Sequence, residues 1–261
     1  MNILITGGHS GMGLELSKKL LAKGHTVGLI IRSESRKQEV EKLFADDNLP
    51  IVFIADLSKR DQIDAVAQEI TKQWNKIDGL FNNAGVLLDK LYFSDYGNEL
   101  QLEINAISPY LLVKALKHLL DNAEAPFVVS TATSGLERKT SIDIENFKRP
   151  KKFTKLLGSY LDSKLMLVLL MNYQSEQWEN VRFVSIDPGA IKTKMTAGDG
   201  MPFWLKPIRN LFFKSPKHGA ENLYQGAFGS KNSGSGIYVS GGKIKKMKIS
   251  ISTQEVEVLM E

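Results

Sequence analysis

Residues 2–13 read NILITGGHSGMG, a short apolar run followed directly by a glycine-rich turn. The apolar run has the composition of a β-strand that is buried on both faces. Gly7, Gly11 and Gly13 permit a tight turn and let the backbone approach a ligand closely. A helical pattern starts at Gly11 and continues to Lys23. This strand, turn and helix predict the start of a βαβ unit, in which the amides at the helix start favour a pyrophosphate.

The same alternation of apolar runs and helical patterns continues through the chain. Further strands are predicted in the segments TVGLIIR, IVFIADL, IDGLFNNAG, FVVSTA, VRFVSIDPG and GIYVSGG. Strands that alternate with helices form a parallel sheet with right-handed crossovers. The sequence therefore predicts an α/β fold, with a single doubly wound Rossmann domain over residues 1–261. Its central, mostly parallel sheet should have about seven strands.

The composition excludes several classes of protein. The chain has 261 residues and no cysteine, so it has neither a disulfide framework nor a thiolate metal site, and we predict no metal. The lack of cysteine suits a reducing compartment, and the chain opens on a strand, so we expect a cytoplasmic protein without a secretory signal. The net charge is +5, but the basic residues are scattered apart from KRPKK and KIKKMK. This pattern favours a solvated surface over nucleic acid or a membrane as partner.

The end of the second predicted strand carries a cation. It reads GLIIRSESR, with Arg32 directly after Ile31 and no acidic residue before Glu34. A carboxylate at this position binds the ribose hydroxyls of NAD, whereas a guanidinium binds a 2′-phosphate through two donors. Arg32, with Arg36 as a second cation, therefore favours NADP over NAD.

Small and polar residues end the third and fourth predicted strands. NNAG, residues 82–85, ends the fourth strand and leaves room for a cofactor at the strand ends. Asp56 and Leu57 end the third strand, where they would flank an adenine. Each signal is weak alone, because Asp, Asn and Gly are also common turn formers.

Together these motifs resemble the short-chain dehydrogenase/reductase family. The family pattern Thr-Gly-x-x-x-Gly-x-Gly matches Thr6 to Gly13, and Asn-Asn-Ala-Gly matches residues 82–85. Three further motifs follow in the family's order: Asn105 in LEINAISPYLL, Tyr160 and Lys164 in YLDSK, and Pro188 and Gly189 followed by Thr193. The resemblance covers nearly the whole chain. The cofactor-binding residues that the motifs and the resemblance imply are Gly7, His9, Ser10, Gly11, Met12, Gly13, Arg32, Asp56, Leu57, Asn83, Ala84, Gly85, Tyr160, Lys164, Pro188, Gly189, Ile191 and Thr193.

The resemblance also implies a chemical role for YLDSK. Tyr160 and Lys164 are one helical turn apart, which places them on one face of a helix. Read alone, the pair could equally be a helix edge with a lysine that reaches solvent. In the family, the tyrosine gives its proton to a carbonyl oxygen, and the lysine lowers the tyrosine pKa and holds the nicotinamide ribose. The implied role of Asn105 is to anchor a water in the proton relay.

One position departs from the family pattern. The family places a serine at the end of the fifth strand to polarise the substrate oxygen, whereas this chain reads FVVSTATSG. With Val128 and Val129 on the buried strand, Thr133 falls at that place and Ser134 is the alternative. Ser130 or Thr131 would need a different register. Threonine keeps a hydroxyl donor, so the predicted catalytic residues are Asn105, Thr133, Tyr160 and Lys164.

The later part of the chain is similar to the retinol-dehydrogenase-like branch of carbonyl reductases. About 26 residues separate Thr133 from Tyr160, which is a long spacing, and the role of the insertion at 136–153 is open. SPKHGAENLY is similar to a helix start in that branch. Before it, apolar residues repeat at roughly helical spacing: Met201, Phe203, Trp204, Leu205, Ile208, Leu211 and Phe212. We predict that residues 195–215 cover the substrate, with core packing, a subunit contact or a membrane-surface helix as alternatives.

These observations predict an NADP(H)-dependent oxidoreductase that reduces a carbonyl, or oxidises a secondary alcohol, on a small hydrophobic molecule. The alternative is a dinucleotide-binding sensor or scaffold with weakened catalysis, which the altered serine position supports. A nucleic-acid binder would rest on net charge alone. The sequence does not specify the substrate, the reaction direction or the number of subunits, and a homodimer or homotetramer is compatible with it.

Overall fold

A computed structural model of the chain describes residues 1–44, 49–204, 209, 211–229 and 234–261. The strands are β1 (Asn2–Thr6), β2 (Thr26–Ile31), β3 (Ile51–Ile54), β4 (Gly79–Asn82), β5 (Phe127–Thr131), β6 (Arg182–Ile186), β7 (Ile237–Ser240) and β8 (Lys243–Lys245). The α-helices are α1 (Gly11–Ala22), α2 (Glu34–Leu43), α3 (Arg60–Gln73), α4 (Leu100–Leu102), α5 (Ser108–Ala115), α6 (Lys117–Asp121), α7 (Ile144–Lys148), α8 (Leu161–Gln177), α9 (Lys194–Ala197), α10 (Pro216–Phe228) and α11 (Thr253–Met260). Two π-helical turns, Glu103–Ile107 and Lys155–Tyr160, lead into α5 and α8.

The strands form one sheet, which confirms the predicted single α/β domain. The described strands are ordered β3-β2-β1-β4-β5-β6-β7-β8, and all neighbours are parallel except β7 and β8. The strand order reverses between β1 and β4, and this is the point at which open α/β sheets bind ligands. The eighth strand was not predicted, because its sequence KIK is short, charged and largely exposed and so lacks an apolar run.

Both faces of the sheet are covered by helices. Ile3 and Ile5 of β1 pack into one core with residues of α1 and α10, whereas Leu4 points to the opposite core. That second core contains residues of α3, α5, α8 and α11. Because strands in such a sheet are buried on both sides, their sequences are continuous apolar runs rather than alternating ones.

The middle of helix α8 is apolar around its whole circumference and is buried there. Its residues 165–171 are each at most 1% exposed, and Val256 and Leu259 of α11 belong to the same core. The insertion helix α7 holds α11 in place, since Lys148 Nζ donates to the Val258 carbonyl at 2.6 Å. The insertion therefore fastens the C-terminal helix over the core.

No helix among the described residues has the length and apolar content needed to cross a membrane.

Candidate active site

A cavity of about 400 Å³ lies at the carboxyl ends of β1, β4, β5 and β6. The structure brings most of the predicted site residues to its wall: Gly7, His9, Ser10, Gly11, Met12, Asn83, Ala84, Gly85, Thr133, Tyr160, Lys164, Pro188, Gly189, Ile191 and Thr193. Five predicted residues lie away from the wall: Gly13, Arg32, Asp56, Leu57 and Asn105. The motifs at the strand ends and YLDSK, which are far apart in the sequence, thus meet at one site.

The glycine turn is tight at two positions that could not hold a side chain. Gly7 has φ +67°, and a Cβ there would lie 3.2 Å from the Ala84 Cα. A Cβ on Gly13 would lie 2.6 Å from Asn83 Nδ2, so a side chain there would clash with Asn83. Gly13 does not line the cavity itself. Thr6 connects the end of β1 to the segment after β4, because its hydroxyl oxygen accepts hydrogen bonds from the amides of Asn83 (3.0 Å) and Ala84 (2.9 Å).

The start of α1 fits a pyrophosphate. Ser10, Gly11 and Met12 border the cavity at the first turn of this 12-residue helix. The Ser10 side chain makes no capping hydrogen bond, so it leaves the amides of the first turn to another partner. Uncapped amides and the positive end of the helix dipole favour an anion. The turn therefore has both the space and the donors that a dinucleotide phosphate needs.

Gly85 is the point where Asn105 and Lys164 meet the NNAG segment. A Cβ on Gly85 would lie 3.0 Å from Asn105 Oδ1 and 3.4 Å from Lys164 Nζ. Asn105 Oδ1 accepts from the Val86 amide at 2.8 Å, and Asn105 Nδ2 donates to Ser163 Oγ at 3.0 Å. Asn105 therefore stands behind the wall, where its side chain ties the NNAG segment to α8.

The two π-helical turns carry Asn105 and Tyr160. The first spans Glu103–Ile107, and the second ends at Tyr160 and contains Gly158 with non-helical angles of φ −113° and ψ −115°. Wide turns of this kind are rare and occur often at functional sites. YLDSK is therefore not part of one regular helix, because Tyr160 closes a π turn and Lys164 lies in α8.

Burial controls the charge states of Tyr160 and Lys164. Burial, and secondly the Asp187 carboxylate, raise the pKa of Tyr160 to about 12. Burial lowers the pKa of Lys164 to about 8, while its ammonium donates to the Thr131 carbonyl at 2.7 Å. The family resemblance implies a lowered pKa for Tyr160, whereas burial of the phenol and the Asp187 charge both raise it here. Tyr160 is thus protonated at neutral pH.

We expect Lys164 to make stability pH-dependent. Its pKa is about 8 in the folded protein against 10.5 in the unfolded chain, so between these values the unfolded chain binds more protons and stability rises with pH. Relative to Lys164→Met, the wild type should gain about 2 kcal/mol of unfolding free energy between pH 7 and pH 9.5. Urea titrations at each pH measure this difference. Lys217→Met, at an exposed lysine of α10, is the control, and a pH-independent Lys164→Met difference would contradict the expectation.

Hydroxyl groups near the end of β5 differ in their access to the cavity. Thr133 and Ser134 both line it, two and three residues beyond the end of the strand. Ser130 is fully buried and accepts a hydrogen bond from Asn82 Nδ2. The Thr131 hydroxyl is also buried. Of the described hydroxyl groups near the end of β5, those of Thr133 and Ser134 are therefore the two that can reach a substrate in the cavity.

The predicted phosphate-binding cations follow β2, which pairs with the strand that leads into the glycine turn. Arg32 is exposed at the end of β2, and Arg36 in α2 donates to the Glu39 carboxylate at 2.7 Å. Burial, and then the charges of Arg36 and Lys194, lower the pKa of His9 in the turn, whereas the charge of Glu39 raises it. Sequence reasoning missed Lys194, which also lines the cavity.

Asp56, Leu57 and Thr193 are engaged in local structure. The Asp56 carboxylate accepts from the Ser58 amide at 2.9 Å, and the Leu57 carbonyl accepts from the Ser108 hydroxyl. Thr193 caps α9, because its hydroxyl oxygen accepts from the Thr196 amide at 3.2 Å. These contacts shape the edge of the site, and a direct cofactor contact of each stays a prediction.

Asp187 is a cavity residue that sequence reasoning missed. Its Oδ2 accepts from the Ser240 hydroxyl at 2.7 Å, and its Oδ1 accepts from the Gly189 amide at 2.9 Å. The Pro-Gly motif directly after it was the available signal. Further apolar residues of the wall are Leu87, Leu156, Met195 and Phe213. Met195 and Phe213 belong to the predicted substrate-covering segment 195–215, whereas Leu87, in a loop, and Leu156, in the second π-helical turn, were not predicted.

A second hollow of about 510 Å³ adjoins the first. The two share Leu156 and Met201, and Leu157, Phe203 and Trp204 line the second one. Met201 is buried, whereas Phe203 is 83% and Leu211 80% exposed. Leu205 and Ile208 lie outside the described residues. The substrate-covering role of residues 195–215 stays a prediction.

Known proteins are similar to this chain in sequence and in fold. A family model described as short chain dehydrogenase matches residues 1–142. Mouse retinol dehydrogenase 14 is 27% identical, over 84% of this chain and 71% of its own length. NADPH-bound carbonyl reductase from chicken fatty liver has a TM-score of 0.73 and 21% identity, covering 93% of this chain and 97% of its own. Salutaridine reductase from Papaver somniferum has a TM-score of 0.72 and 19% identity, with coverages of 92% and 99%. The family match extends over more than half of the chain, and the chain therefore belongs to the short-chain dehydrogenase/reductase family.

Proposed function

We propose that this enzyme is an NADP(H)-dependent oxidoreductase that reduces a carbonyl, or oxidises a secondary alcohol, on a small hydrophobic molecule. The observation that carries the proposal is that Tyr160 and Lys164 line the same cavity as the glycine turn. A proton donor and a phosphate cradle thus face one space. The cytoplasmic location and the number of subunits stay predictions.

The roles of the protein groups follow from their charge states and positions. When bound, NADPH supplies the hydride. Tyr160 is protonated at neutral pH and so can give its hydroxyl proton to the substrate oxygen as negative charge develops there. The Lys164 ammonium, held by the Thr131 carbonyl, lies where it can bind a ribose hydroxyl and stabilise the phenolate left behind. Thr133 or Ser134 orients the same oxygen through its hydroxyl.

The choice of NADP(H) rests on charge. The charges of Arg36 and Lys194 lower the pKa of His9 in the glycine turn and the charge of Glu39 raises it, while Arg32 directly follows β2. The chicken carbonyl reductase with the same fold is NADPH-bound. A 2′-phosphate adds negative charge that these cations stabilise.

The apolar character of the substrate rests on the cavity wall. Leu87, Leu156, Met195, Met201 and Phe213 line the part of the cavity that the glycine turn and NNAG leave free. The second hollow extends this apolar surface past Leu156 and Met201. Residues 195–215 would cover a substrate bound there. Such walls favour hydrophobic ligands with a few polar groups that fix orientation.

A panel of carbonyl compounds with NADPH tests the function. Oxidation of NADPH is followed by its absorbance, and aliphatic, aromatic and polycyclic ketones and aldehydes are compared with small polar ones. The proposal requires turnover that is faster for the hydrophobic members. NADPH binding without turnover on any member, or on the matching alcohols with NADP, would instead support a dinucleotide sensor or scaffold.

We expect NADPH to bind more tightly than NADH because of the two arginines. Arg32→Ala and Arg36→Ala should each weaken NADPH binding roughly 10- to 100-fold, the usual range for a lost charge-assisted hydrogen bond, and leave NADH within about twofold. Calorimetric titration of each variant measures this. Arg138→Ala removes an exposed arginine outside the cavity wall and is the control. Equal affinity of the wild type for both dinucleotides would contradict the NADP assignment.

A further inference from the structure

Tyr238 of β7 is a fully buried tyrosine whose hydroxyl is directed at a loop of the active site. Its side chain is 1% exposed, and its hydroxyl donates to the Thr133 carbonyl at 2.6 Å. The same hydroxyl also interacts with the Ser240 side chain and with the backbone of Leu136. One phenol thus contacts both ends of the turn from Thr133 to Leu136, although it is more than 100 positions away in the sequence.

Among the described residues, the backbone of Thr133 and Ser134 makes no other hydrogen bond to the sheet, whereas the Leu136 side chain is buried in the core. The last ladder bond of β5 is from the Ala132 amide to the Ile186 carbonyl, at 2.8 Å. After it, the chain passes through Thr133 and Ser134 to Gly135, which has φ +84°. Thr133 is half-buried and Ser134 is exposed, and both line the cavity. Loop backbone with little hydrogen bonding moves readily, so the Tyr238 contact limits how far the Thr133 hydroxyl can shift.

The hydroxyl of Tyr238 has no evident role in packing. Its ring belongs to the core between the sheet and α8, where a phenylalanine ring would fill the same space. Burying a hydroxyl is unfavourable unless it finds a partner, and here the partners are the Thr133 carbonyl of the turn and the Ser240 side chain of β7. The feature that distinguishes tyrosine from phenylalanine at this position is therefore used for the backbone beside the active site.

We propose that Tyr238 is a positioning residue for the reaction. It holds the turn from Thr133 to Leu136 so that the hydroxyl of Thr133, or of Ser134, faces the substrate oxygen. Tyr238 is not among the described residues that line the cavity, so it acts through the turn. This inference rests on the proposed function and adds a residue that the family motifs in this sequence do not contain.

Tyr238→Phe tests the proposal, with Tyr173→Phe as matched control. The control removes a phenol hydroxyl from α8 that contacts only Thr253 among the described residues. With a ketone that the wild type reduces, Tyr238→Phe should lower kcat roughly 10- to 100-fold, as expected for a misplaced reacting group. NADPH affinity should stay within about twofold in both variants. Amide hydrogen exchange at residues 133–136 should accelerate in Tyr238→Phe alone.

A double-mutant cycle separates positioning from a general structural effect. If Tyr238 acts through the Thr133 hydroxyl, Tyr238→Phe should cause no further loss of kcat in a Thr133→Val background, and the same holds with Ser134→Ala if that hydroxyl is used. An undiminished loss in both backgrounds, or an unchanged kcat in the single variant, would overturn the proposal. If the wild type reduces no carbonyl at all, the proposed function fails, and unchanged exchange at 133–136 would then also refute the contact with the turn.

Discussion

Tyr160→Phe should fold, bind NADPH as the wild type does, and lose turnover by a factor of roughly 10² to 10⁴, the range for general acid catalysis. The substitution removes the proton that Tyr160 carries at neutral pH and little volume. The Tyr160 hydroxyl makes no hydrogen bond to other residues that the structure describes, so its loss leaves no partner unsatisfied. The free energy of unfolding should therefore change little, whereas kcat should fall by the factor given above.

The measurement compares kcat and NADPH affinity of the variant with those of Tyr173→Phe. That control removes a hydroxyl from the far end of α8, where Tyr173 contacts Thr253, and should keep wild-type turnover. Both variants should melt near the wild-type temperature. Wild-type rates in a clean preparation of Tyr160→Phe would refute the catalytic role, and the sensor or scaffold alternative would then be preferred.

Thr133→Val should lower kcat by roughly 100- to 1000-fold, because a lost donor to developing negative charge costs about 2.7–4 kcal/mol at strong sites. Valine keeps the shape of threonine and deletes only the hydroxyl. Thr133→Ser should retain or raise activity, since it restores the family's usual donor and frees its rotamer. Steady-state kinetics with the hydrophobic carbonyl used for the wild type measure both variants.

Ser134→Ala is the matched variant for the neighbouring hydroxyl. Both residues line the cavity, two and three positions beyond the end of β5. Full activity in Thr133→Val together with a large loss in Ser134→Ala would move the role to Ser134. If neither substitution lowers kcat, the oxygen is held by another donor, and the departure from the family's serine then indicates a different mechanism or none.

The sequence by itself determined the fold class and most members of the site. Strands buried on both faces are apolar along most of their length, so seven of the eight described strands could be predicted from apolar runs such as NILIT and FVVST. Gly7 and Gly11 could be predicted because both adopt a positive φ, of 67° and 54°, which favours glycine and is a local property of the backbone. Parallel strands end at the same edge, and the motifs after β1, β4 and β6 therefore had to meet there.

Only the tertiary structure decided features that depend on contacts between distant residues. Desolvation by the surrounding core, with the charge of Asp187, raises the Tyr160 pKa, whereas the sequence shows only the neighbouring lysine. The π turn at Gly158 and the contact of Tyr238 with Thr133 have no periodic or compositional signal. The contact between the insertion and α11, in which Lys148 Nζ donates to the Val258 carbonyl, joins residues that are far apart in the sequence. Burial, electrostatics and such long-range hydrogen bonds are properties of the packed chain, and a linear pattern does not contain them.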